Sequence, residues 1–459
     1  MDCMRLTFSA KWLRSSPAVL PTHARRLILM RQRSRFVAST LTLDVLCLVV
    51  ALVAASLRVY DTVAPTQARL LAGQNPRPML ALLVLGVVFG SWIALRVIDP
   101  ALSRPSYGHA LLALAIAIGV VAAGSVLLRT YFSREYVVVT LLVWVVLALV
   151  HRGVRRTTPW IESMVVVSDE PYLVEDLAAA PHARVVEVLD PSGGSPDGSL
   201  PPDLTLVVDL RAVLSDDMAS FVSSSTLAGL EVRPMSQAYE DHTQRIPLVH
   251  LAEGWEISVP LGRRAVYEPF KRAFEVIATI ITAPLWLVLM VLTALAIRID
   301  SGGPALFTQQ RTGRDGRPFT IYKFRTMVVD ADRDGPRFTV KDDPRITRIG
   351  KFLRSTRLDE VPQLINVLKG ELALVGPRAE QVLFADQFQE VIPFYRYRHL
   401  VRPGITGWAQ VNSGYADNLE ATIEKLTYDL YYVRHMSPWL DLSVLWRSAV
   451  TVVSGRGAQ

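Results

Sequence analysis

Four long apolar stretches fill the first third of the chain, and they constrain its fold more than any other feature. They lie at about residues 41–57, 79–99, 109–128 and 136–150. A helix needs roughly 20 apolar residues to cross the hydrocarbon core of a bilayer, and the first three stretches approach that length. The fourth is shorter but uninterrupted. The sequence therefore predicts a membrane protein with four transmembrane helices within residues 41–150.

Basic residues on both sides of these stretches indicate the orientation of the chain. Eight Lys or Arg residues precede the first stretch, and Arg152, Arg155 and Arg156 follow the fourth. Positive charge is retained on the cytoplasmic side of a membrane, so residues 1–40 are predicted to be a basic cytoplasmic tail. An even number of crossings then returns the chain to the same side. We expect a multi-pass membrane protein with most of its mass in the cytoplasm.

The composition narrows the class of ligand. The chain has 459 residues, 51% of them hydrophobic, and a net charge of +7. A basic protein commonly binds nucleic acid, anionic lipid or phosphate. No zinc-finger spacing or recognition helix is evident, so we expect no nucleic acid and favour membrane and phosphate partners. The two cysteines, Cys3 and Cys47, offer neither a disulfide framework nor a paired metal site.

Residues 161–250 have the pattern of a small α/β module. Strand-like runs at 164–167, 184–189 and 204–210 alternate with helical or loop segments. A dinucleotide-binding Rossmann unit needs glycines after its first strand, where the backbone approaches a pyrophosphate. The turn here reads SDEPYLVED, which is acidic and lacks glycine. We therefore predict a degenerate Rossmann-like module with a structural or regulatory role, whose ligand the sequence leaves open.

A fifth apolar stretch, residues 274–297, decides where the rest of the chain lies. Pro284 stands near its middle, and Lys271 and Arg272 precede it. A proline-kinked spanning helix would carry everything that follows across the membrane. Half of the stretch, about 11 residues at roughly 1.5 Å each, would reach only half of the ~30 Å core. A helix broken at Pro284 could therefore return to the same face, and hydropathy leaves both topologies open.

Two adjacent carboxylates, Asp359 and Glu360, lie among arginines in the segment RSTRLDEVPQLINVLKG. One interpretation is structural: an N-cap Asp with Pro362 in the first turn makes a good helix start. A second interpretation is phosphate chemistry, because the surrounding region places cations within tight Gly and Pro turns, which suit phosphate binding. These cations are Arg311, Arg314, Lys323, Arg325, Arg345, Arg348, Arg354, Arg357, Arg378 and Arg402.

The motifs that carry these cations resemble a known family. They read DSGGPALFTQQRTGRDGRPFTIYKFRTM, then DDPRITRIGKFLRSTRLDEVPQLINVLKGELALVGPR, then VRPGITGWAQVN. Their order and spacing resemble the bacterial sugar transferases, the monotopic polyprenyl-phosphate hexose-1-phosphate transferases. The resemblance implies a mainly α-helical monotopic catalytic domain at 265–459 with a re-entrant membrane helix at 274–297. The preceding helices and α/β module look like the long form of the family. This chain has Ala283-Pro284 where the family usually has Ser-Pro, and GPRAE in place of GPRPE.

The resemblance also implies a reaction. A sugar-1-phosphate would pass from a UDP-sugar to a polyprenyl phosphate such as undecaprenyl phosphate, with release of UMP. This step would begin the assembly of an exopolysaccharide, capsule or O-antigen. Asp359 would be the nucleophile that forms an aspartyl phospho-sugar, and Glu360 would be the partner of Mg²⁺. The protein would lie in the bacterial inner membrane, with its catalytic domain on the cytoplasmic face. The residues that would contact substrate phosphate are Lys323, Arg325, Arg357, Arg378 and Arg402. Those of the membrane helix are Lys271 and Arg272 at the headgroups and Pro284 at the break.

Two other functions stay open at the level of sequence. One is a non-enzymatic membrane scaffold or sensor of polysaccharide assembly, and the other is a glycosyltransferase that releases UDP. Small residues in the third helix, AIAIGVVAAGS, would permit close helix packing and so allow a homo-oligomer. Contacts with polysaccharide assembly proteins are equally open. The hexose cannot be read from spacing.

Overall fold

The computed structural model describes residues 22–61, 63, 77–97, 107–127, 133–157, 161–196, 198, 200–251, 261–329, 331, 343–413 and 418–454. Apart from a short segment at 96–100, the chain divides into one compact unit up to Thr243 and a second from Gln244 onwards. Within the described residues, five helices are long and apolar enough to cross a membrane, including all four predicted in the first third.

The first unit begins with these four helices: α1 (Thr22–Tyr60), α2 (Arg77–Val97), α3 (Tyr107–Leu127) and α4 (Arg134–Arg155). A buried ion pair joins α1 to α4, with Arg152 Nη1 2.6 Å from Asp44 Oδ1. The indole of Trp144 donates to the Asp44 carbonyl at 3.0 Å. Helix α1 already includes residues 22–40, so this part of the predicted tail is helical. Residues 1–21 of the tail lie outside the described residues.

Small side chains let α2 and α3 approach closely. A Cβ built at Gly90 of α2 would lie 2.6 Å from the carbonyl oxygen of Ala113 in α3. Ala113 and Ala117 are fully buried within the bundle. Small residues of α3 are therefore used inside the chain, as close helix packing in membranes requires. Their presence is not by itself a sign of a homo-oligomer.

The α/β module is a four-stranded parallel sheet with the order β2-β1-β3-β4. Its elements are β1 (Glu162–Val167), α5 (Pro171–Ala179), β2 (Ala183–Leu189), β3 (Thr205–Val208), α6 (Asp216–Leu227), β4 (Glu231–Pro234) and α7 (Met235–Thr243). The three predicted strands are confirmed. The fourth was missed because its four residues, EVRP, are short and half polar. No glycine-rich turn follows β1, so this sheet lacks the usual dinucleotide-binding loop.

The second unit opens with two consecutive helices, α8 (Leu261–Ile281) and α9 (Ala283–Ser301). They are separated at Thr282, immediately before Ala283 and Pro284, and Pro284 occupies the first turn of α9. Proline suits that position because a first-turn N–H has no partner within the helix. The Trp286 indole donates back to the Thr279 carbonyl at 2.9 Å across the break. The predicted interruption of the fifth apolar stretch is confirmed, two residues earlier than Pro284.

The remainder of this unit combines short strands with helices. Its elements are β5 (Leu306–Thr312), β6 (Pro318–Phe324), α10 (Arg348–Thr356), α11 (Gln363–Lys369), β7 (Ala373–Val375), α12 (Val382–Val391), β8 (Gly404–Thr406), α13 (Trp408–Asn412), α14 (Leu419–His435) and α15 (Pro438–Ser454). The aromatic residues near the end of α14 lie inside this unit, since Tyr428 and Tyr432 are buried in the core with Trp408 and Val444.

Candidate active site

The two adjacent carboxylates lie on a tight turn between α10 and α11. Arg357 ends α10 in the left-handed conformation (φ 59°), and residues Leu358–Glu360 then form one 3₁₀ turn. Helix α11 starts only at Gln363, and no side-chain cap is made at its start. The expectation that Asp359 is a helix N-cap is therefore wrong. The left-handed residue ends α10, so both acids lie in the connection between the two helices and not within either one.

Glu360 is a buried acid that is paired with two cations. Its Oε1 lies 3.3 Å from Lys323 Nζ and 3.4 Å from Arg378 Nη2. Burial raises the pKa of Glu360, but Lys323, Arg378 and Arg357 outweigh it and lower the pKa to about 2. Burial lowers the pKa of Lys323, and the negative charge of Glu360 opposes this effect. Glu360 is thus an ionised acid that holds two cations in place.

Asp359 has the opposite environment. Its Oδ1 is buried and has no hydrogen-bond partner among the described residues. Burial and the neighbouring charge of Glu360 raise the pKa of Asp359, while Lys323, Arg354 and Arg357 partly offset this. Two neighbouring carboxyls whose environments separate their pKa values are a common sign of divided chemical roles. Asp359 has an oxygen free of hydrogen bonds within a cationic setting, as a nucleophile toward phosphorus requires.

The two cations beside Glu360 come from distant motifs. Lys323 lies on β6, and Arg378 follows β7 in the GPR turn. Strands β7 and β8 are parallel, and this pairing brings the GPR turn against the RPG turn. A Cβ built at Gly404 would lie 2.1 Å from the backbone nitrogen of Gly376. Only glycine fits this crossing, which explains why both turns carry one and how Arg378 is positioned.

A buried ion pair between Arg398 and Asp429 contacts the backbone of Arg378. Arg398 donates to the Arg378 carbonyl at 2.9 Å, and its guanidinium lies 2.7 Å from Asp429. Both side chains are buried. No sequence pattern predicts this pair, since the two residues lie in different helical segments and neither belongs to a turn motif. Arg398 thus helps to position Arg378, and it makes no described hydrogen bond to Asp359 or Glu360.

Arg325 and Arg402, both proposed from their motifs as phosphate contacts, lie elsewhere. Arg325 is buried and donates to Ser301 Oγ at 2.8 Å and to the carbonyl of Gly302, so it holds the end of α9. Arg402 lies 3.9 Å from Glu268 and lines a separate cavity. The structure brings Lys323, Arg357 and Arg378 to the carboxylates and does not bring Arg325 or Arg402 there by any described ion pair.

Lys271 also differs from expectation. Lys271 is buried and makes ion pairs with Asp441 at 2.6 Å and Glu275 at 2.9 Å. It joins α8 to α15, so its assignment to the lipid headgroups is corrected. Arg272 is half-buried and donates to the carbonyls of Val367 and Leu368, where α11 ends. A cation at a helix C-terminus complements the helix dipole.

A resident divalent cation would have few protein ligands in this cluster. Within the described residues no group of three or more His, Cys, Asp or Glu side chains could hold a metal. Asp359 and Glu360 provide two carboxylates, one with a buried oxygen that has no hydrogen-bond partner. Mg²⁺ is commonly bound by one or two carboxylates together with substrate phosphates. The donor set fits that mode and does not fit an all-protein cage.

The fold and this cluster define a class: a membrane protein with a carboxylate pair set among cations, suited to phosphoryl chemistry. Comparison with known proteins places the chain within that class. Residues 266–455 match the family model described as bacterial sugar transferase. A UDP-N-acetylgalactosamine-undecaprenyl-phosphate N-acetylgalactosaminephosphotransferase of Aeromonas hydrophila is 39% identical over 344 residues, covering 72% of this chain and 76% of that protein. The chain belongs to the bacterial sugar transferase family, as its motifs indicated.

Other relatives match a shorter length of this chain. UDP-glucose:undecaprenyl-phosphate glucose-1-phosphate transferases of Klebsiella pneumoniae and Escherichia coli are 42% and 40% identical over 188 and 187 residues. In both cases the match covers 40% of this chain and 40% of the relative. The similarity to the Aeromonas protein is longer than the family match, so it extends beyond the region that holds the carboxylates.

Proposed function

We propose that this protein transfers a sugar-1-phosphate from a UDP-sugar to undecaprenyl phosphate, releases UMP and so begins the assembly of a polysaccharide repeat unit. Family membership supports the reaction class, and the named activities of three relatives support the two substrates. The observation that carries the proposal is the division of roles between adjacent acids. Glu360 is ion-paired with Lys323 and Arg378, whereas Asp359 Oδ1 has no described hydrogen-bond partner.

The reaction proceeds in two displacements at phosphorus. In the first, a carboxylate oxygen of Asp359 attacks the phosphorus that bears the sugar, and the bond from that phosphorus to UMP breaks. In the second, a phosphate oxygen of the lipid attacks the same phosphorus, and the bond to Asp359 breaks. Asp359 is thereby regenerated as a carboxylate. Splitting the transfer in this way keeps the two polyanionic substrates from having to occupy the site together.

The cations supply the electrostatic part of the chemistry. Lys323 and Arg378 are held by Glu360, and Arg357 lies close enough to lower the pKa of Glu360. Preorganised cations stabilise the charge that develops on the phosphoryl oxygens. Mg²⁺, when bound by Asp359 or Glu360 together with substrate phosphates, would neutralise further negative charge. Arg325 and Arg402 act outside the carboxylate cluster in this proposal.

The broken helix supports a re-entrant topology, with the second unit on the cytoplasmic face of the inner membrane. Arg272 of α8 bonds to the end of α11, and Ile297 of α9 packs with Phe324 and Leu353. Both helices are thus attached to the same compact unit, α8 before the break and α9 after it. A continuous span would separate them by about 30 Å of hydrocarbon, so a helix pair that enters and leaves one leaflet fits these contacts better.

The identity of the released nucleotide tests this function. Full-length protein in membranes, supplied with undecaprenyl phosphate, Mg²⁺ and a panel of UDP-sugars, should release UMP and form a lipid diphosphate sugar. The Asp359→Ala protein should release none, while Arg396→Gln, an exposed charge change elsewhere, should match the parent. Release of UDP would instead identify a glycosyltransferase. Absence of turnover with every UDP-sugar, despite normal folding, would favour the scaffold or sensor.

A further inference from the structure

A cavity of about 710 Å³ lies between the middle of α8, the β5–β6 turn and the end of α11. Five cations line it: Arg272, Arg314, Arg317, Lys369 and Arg402. It is distinct from the carboxylate cluster, because Phe319 and the 313–318 turn line it, whereas Lys323 contacts Glu360 further along β6. Five residues of an extended strand span roughly 16 Å. The cavity and the carboxylates therefore lie toward opposite ends of one hairpin.

The charge of this cavity is poorly balanced by the protein itself. Only Glu268 and Glu371 are acidic among its lining residues. Glu268 already pairs with Arg314 and Arg402, and Glu371 accepts a hydrogen bond from Asn366. Arg317, Lys369 and Arg272 have no ion pair within the described part of the chain. Burial and the charge of Arg402 lower the pKa of Arg272. An anion bound in the cavity would reduce the repulsion among these cations.

The position of the cavity on α8 indicates which anions can reach it. Phe270 and Phe274, within one turn of Arg272, are 70% and 57% exposed, and exposed Ile277, Ile280 and Ile281 follow. Arg272 precedes the break at Thr282 by ten residues, about 15 Å of helix, which is half of a ~30 Å hydrocarbon core. If α8 enters the membrane as proposed above, the break lies near mid-bilayer and the cavity opens at the level of the phosphate headgroups.

We propose that this cavity binds the phosphate headgroup of an anionic lipid, at a site separate from the carboxylate pair. The inference rests on the re-entrant placement of α8 and not on the transfer reaction. Arginine and lysine are well suited to phosphate oxygens, and each cation near an anionic surface adds roughly 1 kcal/mol of attraction. The same headgroup chemistry is presented by a bilayer phospholipid and by polyprenyl phosphate. The lipid phosphate would fix the depth of α8 relative to the carboxylates.

Lipid binding to delipidated, full-length protein in neutral detergent tests this site. Native mass spectrometry would measure the affinity for phosphatidylglycerol, undecaprenyl phosphate and zwitterionic phosphatidylcholine. Arg317→Gln with Lys369→Gln removes two cations that form no ion pair among the described residues. Arg184→Gln with Arg396→Gln makes the same charge change at two exposed positions elsewhere. We expect the cavity variant to bind the anionic lipids at least about tenfold more weakly and the control to bind as the parent does.

The comparison between lipids distinguishes the source of the phosphate. If the cavity variant loses affinity equally for phosphatidylglycerol and undecaprenyl phosphate, the cavity is a site for bilayer headgroups. Loss confined to undecaprenyl phosphate, with a raised KM for that lipid and unchanged UMP release from UDP-sugar alone, identifies an acceptor site. Parental lipid affinity in the cavity variant would overturn the proposal, as would displacement of lipid from the parent by UMP. Thermal unfolding checks that both variants fold. The single Arg317→Gln variant, at an exposed turn, repeats the lipid-affinity measurement with a smaller change to the protein. Binding needs no turnover, so a failure of the transfer reaction leaves this result interpretable.

Discussion

Adjacent acids with opposite electrostatic environments are the central feature at the scale of residues. Glu360 is stabilised in its ionised form by Lys323 and Arg378, while burial and Glu360 itself destabilise the ionised form of Asp359. Neighbouring residues on a 3₁₀ turn point in different directions, so they contact different groups although their backbones are adjacent. Glu360 organises the cations, and Asp359 keeps a buried oxygen with no described hydrogen-bond partner, as the proposed nucleophile requires.

Replacement of Asp359 by Asn should separate folding from chemistry. The raised pKa of Asp359 means that its stabilising contribution is present at low pH and is lost as pH rises through the folded-state value. At neutral pH a neutral Asn should therefore leave the protein as stable as the parent or more stable. Incubation with UDP-sugar alone should label the parent on the peptide that contains Asp359 and should not label the variant. Turnover by a stable Asn variant would exclude the covalent mechanism.

Glu360→Gln should have the opposite effect on stability. The pKa of Glu360 is lowered from 4.5 to about 2 in the folded chain, a shift worth about 3 kcal/mol. This stabilisation is present above the unfolded-state pKa and is lost as pH falls toward about 2. The variant should unfold at a markedly lower temperature than the parent at pH 7, and the difference should shrink as pH falls from 5 to 3. A constant difference across that range would show that the ion pairs are not its cause.

The sequence identified the residues of this cluster better than it identified their geometry. The motifs predict Asp359 and Glu360 together with five cations. The structure brings Lys323, Arg357 and Arg378 to the carboxylates, whereas Arg325 and Arg402 lie elsewhere. The helix-cap interpretation failed because Asp-Glu-x-Pro also fits a 3₁₀ turn, and only the left-handed Arg357 distinguishes the two. Arg398 and Asp429, 31 residues apart, were missed because tertiary packing alone brings them together. Periodicity cannot report such a contact.

At the scale of elements, the helix pair α8–α9 is attached to the rest of its unit by buried polar contacts. Lys271 contacts Asp441 and Glu275, and Tyr432 donates to Asp441 at 2.6 Å. Basic residues before an apolar stretch ordinarily indicate a membrane interface, so the sequence could not reveal that one of this Lys-Arg pair points inward. The position of the break was predictable because Pro284 cannot be placed within a regular helix without loss of a hydrogen bond.

Removal of the Lys271 amino group should therefore destabilise the second unit strongly. Lys271→Met leaves two buried carboxylates without their cation, which typically costs about 3–5 kcal/mol. Arg396→Gln, an exposed control, should cost little. Thermal unfolding in detergent measures both. A role confined to lipid headgroups predicts instead a small change in stability with a larger change in membrane binding, and that pattern would contradict the buried network.

Chemical labelling tests the topology of the helix pair. In a protein whose two cysteines are replaced by Ser, a single cysteine at exposed Thr308 or Glu390 should be protected from an impermeant thiol reagent in intact cells. Both should react after the membrane is permeabilised. Pro284→Leu permits a continuous helix across the break and should expose these sites in part of the population. Labelling of the parent protein from outside would mean that the fifth apolar stretch spans the membrane.

At the scale of the whole molecule, the chain divides at Thr243 and Gln244, which does not coincide with the start of the family match at residue 266. The order of membrane helices, α/β sheet and second unit was predictable because each has its own hydrophobic period. The exact boundary was not, because residues 244–251 have no motif. They nevertheless belong to the second unit: Ile246 and Leu251 pack with Tyr395 and Leu430.

In a truncated protein without the first unit, the choice of first residue should therefore decide whether the second unit functions by itself. A chain that begins at Gln244 keeps the hydrogen bond from the Trp408 indole to the Gln244 carbonyl and the one from the Ile246 amide to the Thr427 carbonyl. We expect it to fold in membranes and to release UMP from UDP-sugar. A chain that begins at Leu261 loses these contacts and two buried side chains, which should cost roughly 4 kcal/mol or more. Its unfolding temperature should fall well below that of the longer chain.

Equal stability of the two truncated chains would show that residues 244–251 are dispensable. An inactive but stable chain from Gln244 would show that the first unit takes part in the reaction itself.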